Sequence, residues 1–386
     1  MTVTTTAITD RFDDIRPTPD GEVRAAIARL VSDSSFRRVA EALVKPLAWE
    51  EFTALVRKCE TKDDFQRLAV CPAMMRLIGR TTSELTGSAW ENIPEEGGCL
   101  IISNHRDIVL DAAFLNVLMI DRGRPGTEIA IGDNLLVYPW IEELVRLNKS
   151  FIVKRSVAVR RMLEVSKHLS DYIHDAVTCR GESAWIAQRE GRAKDSDDRT
   201  QVSLLKMLTL HNASAPARAL QDLRIVPLSI SYEFDPCDYL KAKEFQLKRD
   251  NPAYRKTEAD DVENMMVGIT GFKGRVSLRF GTCISDAVGA IPETAGRTEL
   301  LEKTATLIDR EIHRNYVFYP FNYVACDLMC GSKRFASQYT AEDVSNFNAY
   351  LQRQIDKISI PHRDTAFLRG KIIEMYGNTV KNNLAL

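Results

Sequence analysis

The chain has 386 residues, 45% of them hydrophobic, enough for a substantial core in one large domain or two ordinary ones. Lys and Arg total 52 against 53 Asp and Glu, so no global field draws the protein to nucleic acid or anionic lipid, and attraction to phosphate must be local. The eight cysteines, at 59, 71, 99, 179, 237, 283, 326 and 330, contain no Cys-x-x-Cys pair and fall mostly in expected strands and helices; they read as reduced, buried side chains of a cytosolic protein rather than a metal site or disulfide frame.

Residues 1–20 are rich in Thr and Asp, carry Pro17 and Pro19, and lack the charged-then-apolar layout of a signal peptide, so they read as a disordered tail. Val23, Ile27, Leu30 and Val31, then Phe52, Leu55 and Val56, recur at helical spacing, which predicts an N-terminal helical domain over 21–90. Gly87 to Gly98, with Pro94, marks its boundary. Expected strands follow at Cys99–Ser103, Glu128–Ile131, Phe151–Val153, Ala184–Ala187, Arg224–Tyr232 and Val276–Phe280. Helical patterns at Ile108–Ile120, Leu135–Leu147, Val157–Val177 and Val202–Leu210 separate them. This alternation predicts an α/β domain over 91–298 with a mainly parallel, mixed sheet covered by helices, and C-terminal helices over 299–386 packed on it. The longest apolar stretch, Ile108–Ile120, is interrupted by Asp111 and Asn116 and is too short to span a bilayer, which takes about 20 residues.

The densest chemistry is Ser103-Asn104-His105-Arg106-Asp107-Ile108-Val109-Leu110-Asp111, where a buried strand turns into a helix. Such strand-to-helix loops bind ligands in open α/β sheets. A competing reading makes His105 a surface residue and Asp107 simply the helix N-cap. A kinase catalytic loop is excluded: Asn is required five residues after the Asp of His-Arg-Asp, whereas Ala112 and Arg369 stand there after His105-Arg106-Asp107 and His362-Arg363-Asp364. At the ends of the next strands lie Gly132-Asp133-Asn134, Lys154-Arg155, Arg189-Glu190-Gly191-Arg192 and Glu233. One edge of the sheet thus gathers a base candidate and several arginines, whose planar forks suit phosphate, and this points to a hydroxyl-bearing, phosphorylated substrate.

Four blocks in order resemble the glycerolipid acyltransferases, which esterify glycerol 3-phosphate or its 1-acyl derivative from an acyl thioester. They are residues 103–111, Lys149-Ser150-Phe151-Ile152-Val153-Lys154-Arg155, Glu190-Gly191-Arg192, and Ile225-Val226-Pro227-Leu228-Ser229-Ile230. The resemblance implies an acyltransferase-like fold. It makes His105 the base that deprotonates the acceptor hydroxyl, oriented by Asp111 or alternatively Asp107, and Arg155 and Arg192 the phosphate ligands. Lys149, Lys154, Arg106, Glu190 and Gly191 are candidate helpers, Arg106 or a backbone amide the oxyanion donor, and Pro227 marks the acyl-donor region.

Two departures stand out. The family's aspartate follows its histidine after four intervening residues, against five for Asp111, and the third block lacks one residue of the usual Glu-Gly-x-Arg. Because one residue rotates a helical side chain by about 100°, Asp111 needs a different loop geometry to reach His105. Asp107 is the natural cap, which leaves Asp111 the favoured partner.

The expected activity is O-acyl transfer without an acyl-enzyme and without a cofactor. The donor is acyl-CoA or acyl-carrier protein; the acceptor is 1-acylglycerol 3-phosphate, with glycerol 3-phosphate or another lysolipid as alternatives. A lipid- or acyl-carrier-binding protein on the same fold is the non-enzymatic alternative. The expected location is cytoplasmic, peripheral on the inner face of the membrane. Tyr316, Phe318, Tyr319, Phe321 and Tyr323 around Pro320 read as core packing, with interfacial anchoring as the alternative.

Overall fold

The computed structural model describes residues 11–155 and 157–386. The helix-spaced apolar residues of the first segment form α1 (Val23–Ser32), α2 (Ser34–Val44), α3 (Trp49–Val56), α4 (Lys62–Phe65) and α5 (Cys71–Thr81). Seven strands follow: β1 (Glu84–Ser88), β2 (Leu100–Ser103), β3 (Glu128–Gly132), β4 (Ser150–Val153), β5 (Ala184–Ala187), β6 (Val226–Tyr232) and β7 (Arg275–Phe280). Between them run α6 (Leu110–Asp121), α7 (Pro139–Leu147), α8 (Met162–His174), α9 (Val202–Leu208), α10 (Pro216–Asp222), α11 (Asp238–Asp250) and α12 (Glu258–Thr270). The chain closes with α13 (Ser285–Gly289), α14 (Arg297–Arg314), α15 (Pro320–Cys330), α16 (Ala341–Asp356) and α17 (Thr365–Leu384).

The sheet order is β1-β7-β6-β2-β5-β3-β4. Strands β6, β2, β5, β3 and β4 are parallel, whereas β7 runs antiparallel to β6 and carries β1 parallel to itself. The sheet is therefore mixed and mainly parallel, as expected. Central β2 is buried on both faces: Leu100 and Ile102 enter one core, Cys99 and Ile101 the other. Neighbours β5 and β6 pair on either side of it, so the carboxyl end of β2 is a switch point of the topology. Strands β3 and β5 pair only through Glu128↔Ala184 and Ile129↔Trp185, and nothing ties them beyond those residues.

Helix α6 is buried along most of its length, from Leu110 to Met119. Its mid-helix polar residue is satisfied, since Asn116 Nδ2 donates to the Thr127 carbonyl while its Oδ1 accepts from Thr127 N at 2.8 Å. The N-terminal helices build their own core, which Leu147 of α7 closes. A fourth core joins α15, α16 and α17.

The structure corrects three expectations. Residues 11–20 are not a disordered tail: Phe12 and Ile15 are buried in the main core, and the Ile15 carbonyl accepts from Ile152 N at 2.8 Å along the edge of β4. Two apolar side chains in a polar run are enough to anchor it, and the contact protects an edge strand; residues 1–10 of that expected tail lie outside the described residues. Strand β1 lies inside the segment read as helical, its half-exposed Glu-Leu-Thr-Gly-Ser carrying no strong strand pattern. Cys179 and Cys330 are exposed rather than buried. Tyr316 and Tyr319 are buried, and Phe318 and Phe321 pack against cores, so this cluster serves packing.

Candidate active site

The loop after β2 is pinned before it reaches the histidine. Asn104 grips β6 through both ends of its amide, donating from Nδ2 to the Ile230 carbonyl at 2.9 Å and accepting at Oδ1 from Ile230 N at 2.8 Å. Asp107 then caps α6, its Oδ1 accepting from Val109 N at 2.9 Å and Leu110 N at 2.8 Å. Folding the loop over this cap brings Asp111, in the first turn of the helix, back beneath the histidine. Asp111 Oδ2 accepts from His105 Nδ1 at 2.8 Å, Arg106 N at 2.6 Å and Asp107 N at 3.1 Å. Its Oδ1 accepts from the Tyr232 hydroxyl at 3.0 Å. Four donors converge on a fully buried carboxylate, which makes it an acceptor only. Burial, with the charge of Asp111 beside it, pushes the Asp107 carboxyl above its ordinary range, and burial likewise drives the Tyr232 phenol upward.

The His105 ring meets Trp185 edge-on with centroids 5.8 Å apart, and Trp185 Nε1 is in turn fixed by donating to Ser103 Oγ at 3.0 Å. With Nδ1 held by Asp111, Nε2 is the nitrogen left for chemistry. His105 lines a cavity of about 640 Å³, within the range of small-molecule sites. The cavity enters where β3 and β5 part, between Ile129–Gly132 and Trp185–Ala187. Its walls are mostly apolar: Met74 and Leu77 of α5 on one face of the sheet, Leu169 of α8 and Met207 of α9 on the other.

Of the other residues singled out in the sequence, Arg155, Lys154, Glu190 and Gly191 line this cavity. Arg155 is held by its backbone N–H donating to Asp133 Oδ1 at 3.1 Å and lies 3.7 Å from Glu190. Lys154 pairs with Asp14.

Four residues stand elsewhere. Lys149 lies at the amino end of β4, opposite the site, where its buried ammonium donates to Asp63, Glu182 and the Gly126 carbonyl. Arg106 is 5% exposed and forked onto Asp198, which also accepts from the Tyr316 hydroxyl; its backbone N–H is spent on Asp111, so it supplies neither a phosphate ligand nor an oxyanion donor. Pro227 is buried within β6 opposite Ile102 and does not line the cavity. Arg192 is also off the cavity wall: its Nη2 donates to Asn264 Oδ1 of α12 at 2.9 Å.

Sequence reasoning missed helix α12 altogether. It starts at a capping box of Thr257 and Asp260 and lays Gly268 so tightly on Asp107 that a Cβ there would lie 2.0 Å from a carboxylate oxygen. Met265 and Ile269 of this helix line the cavity. Trp185 and Tyr232 were also missed as site residues, their apolar strand settings giving no signal of a polar role. Among the described residues, no three His, Cys, Asp or Glu side chains are arranged to hold a metal ion, and no helix is long and apolar enough to cross a membrane.

Residues 85–231 match the acyltransferase family model. All four sequence blocks fall within that span. A solved structure, the 1-acyl-sn-glycerophosphate acyltransferase PlsC from Thermotoga maritima, is similar at 13% identity over 75% of this chain and 93% of that chain, with a TM-score of 0.36. No curated protein matches the chain.

Proposed function

We propose that this chain, whose residues 85–231 match the acyltransferase family model, moves a fatty acyl group from an acyl thioester, acyl-CoA or acyl-carrier protein, to the free hydroxyl of 1-acylglycerol 3-phosphate. The observation that carries this reading is one mostly apolar cavity lined by both His105, whose Nδ1 is fixed by Asp111, and Arg155. Apolar walls suit acyl chains, the imidazole suits a hydroxyl, and the guanidinium suits a phosphate.

In the reaction, His105 Nε2 takes the proton as the acceptor oxygen attacks the thioester carbonyl. The carbon–sulfur bond then breaks, and the imidazolium returns the proton to the departing thiolate, so no acyl-enzyme forms. Asp111 holds the tautomer with Nδ1–H and stabilises the imidazolium. Lys154 and Arg155 would draw the phosphate to the cavity mouth.

Contact with a membrane would be peripheral. Exposed Val159, Met162 and Leu163 sit beside exposed Arg160 and Arg161, just past Arg155, a pairing of apolar and basic side chains that suits an anionic lipid surface.

The test is an acylation assay of purified protein with labelled acyl-CoA and acyl-carrier protein against 1-acylglycerol 3-phosphate, glycerol 3-phosphate and other lysolipids, with His105→Ala as control. Transfer to 1-acylglycerol 3-phosphate, reduced at least about 10²-fold in the folded variant, is expected. Preference for glycerol 3-phosphate would move the acceptor assignment, and no transfer to any acceptor would leave a binding protein.

A further inference from the structure

The shortened third block poses a question that the fold answers. The arginine after Glu190-Gly191 is turned away, because Gly191 sits in the left-handed region at φ 67° and the chain beyond it folds toward α12. Arg192 is buried there with its Nη2 bonded to Asn264; its Nη1, like Nε of Arg189, has no partner among the described residues, but Arg192 does not line the cavity. The arginine before the turn is placed quite differently. Arg189 lines the cavity with His105, and its Nε is buried with no hydrogen-bond partner among the described residues. An unsatisfied buried donor carries a desolvation cost, which a ligand accepting from it would remove.

Register sets the reach. Ser103 pairs with Ala187 across β2 and β5, so His105 and Arg189 stand the same two steps beyond the paired residues of adjacent strands. Adjacent strands are about 4.8 Å apart, which puts the roots of these two residues roughly one spacing from each other. Arg155 follows β4, three spacings or about 14 Å from β2. In a glycerol phosphate only two carbons and an ester oxygen separate the 2-hydroxyl from phosphorus. That reach matches one strand spacing directly, whereas Arg155 must cover the remaining distance with its own side chain, which runs back over Gly132 at the end of β3.

We propose that Arg189, rather than Arg192, is the arginine that binds the acceptor's phosphate monoester next to His105, with Arg155 reaching it from the end of β4. The assignment rests on the acyltransferase reading above and specifies which side chain selects a phosphorylated acceptor. Nε and a terminal nitrogen of Arg189 form the fork that donates to two phosphate oxygens.

The experiment compares wild type, Arg189→Ala, Arg189→Lys and Arg192→Ala in binding of 1-hexanoylglycerol 3-phosphate and of 1-hexanoylglycerol, together with thermal melting of each unliganded protein. The wild type should prefer the phosphorylated probe. Arg189→Ala should lose roughly ten- to a hundredfold of that preference while melting no lower than wild type, since it deletes an unpaired donor. Arg189→Lys should recover part of it through charge alone. Arg192→Ala should keep the preference but melt lower, having lost the contact with Asn264. A preference that survives Arg189→Ala, or a lowered melting point for that variant, overturns the assignment while leaving the acyltransferase reading intact. A wild type indifferent to the phosphate would instead overturn the acceptor reading itself.

Discussion

His105 Nδ1 and Asp111 Oδ2 lie 2.8 Å apart although one residue more than the family spacing separates them in the chain. The extra residue is absorbed by the Asp107 cap, which turns the loop so that Asp111 accepts from two loop amides as well as the imidazole. Asp111→Asn should therefore lower turnover by roughly 10⁴-fold, because an amide can hold the imidazole in the wrong tautomer. Asp107→Asn keeps an acceptor for the two cap amides and should stay within about tenfold of wild type, whereas Asp107→Ala should cost about 1 kcal/mol of stability. Steady-state kinetics and denaturant melts of the three variants check this ordering; a larger kinetic loss in Asp107→Asn would exchange the two roles.

Arg155 lines the cavity mouth with only a loose contact to Glu190. Arg155→Ala should raise the apparent KM for the phosphorylated acceptor by about tenfold or more, and that for the acyl donor by much less. Equal changes for both substrates would show that the residue supports the fold rather than the phosphate.

Ala113, half-buried in α6, lines the cavity. Ala113→Phe should shorten the space open to an acyl chain. We expect kcat/KM for a long-chain donor to drop by about tenfold or more, a discrimination of the size that a few methylenes carry, with a short-chain donor nearly unaffected. A uniform decline across chain lengths, read in an assay of donors of increasing length, would place acyl chains elsewhere.

Asp238 is fully buried between α11 and the C-terminal helices and accepts from the hydroxyls of Tyr350 at 2.6 Å and Tyr376 at 3.0 Å. Burial, together with the charge of Asp235, pushes its carboxyl from 3.8 up to about 7. Between those values the folded protein keeps a proton that the unfolded chain releases. The associated stability is therefore present below pH 3.8 and is lost as pH rises through about 7. Asp238→Asn, neutral throughout, should flatten the decline in unfolding free energy between pH 5 and 7 by up to about 1.4 kcal/mol per pH unit. Parallel pH profiles for the two proteins would show that the carboxyl is already charged in the fold.

The strands around the site were readable because each is a short apolar run closed by a polar turn, and these are local signals: Leu100–Ser103, Ala184–Ala187 and Val226–Tyr232 stand where the sequence places strands, within two residues at their ends. The same holds for His105 and its two candidate aspartates, since capping is decided within one turn of the chain. Strand β1 and helix α12 were not readable. The first is a half-exposed strand with little apolar content, and the second, though its Thr257–Asp260 capping box is local, reaches the site through contacts from far along the chain, Gly268 on Asp107 and Asn264 on Arg192.

By itself, then, the amino-acid sequence determined the alternation of strands and helices, the acyltransferase blocks and the histidine at the carboxyl end of the central strand, all properties of neighbouring residues. Tertiary structure alone decided which charges face the cavity. Lys149 and Lys154 bracket the same short strand, yet the one is bound at the sheet's amino end while the other lines the cavity at its carboxyl end. Arg189 and Arg192 differ by three residues, and with a left-handed glycine between them one lines the cavity while the other bonds Asn264 of α12. Where a long side chain points depends on strand direction, on backbone dihedrals at a single turn and on partners brought from distant segments, and none of these is written in the identity of the residue.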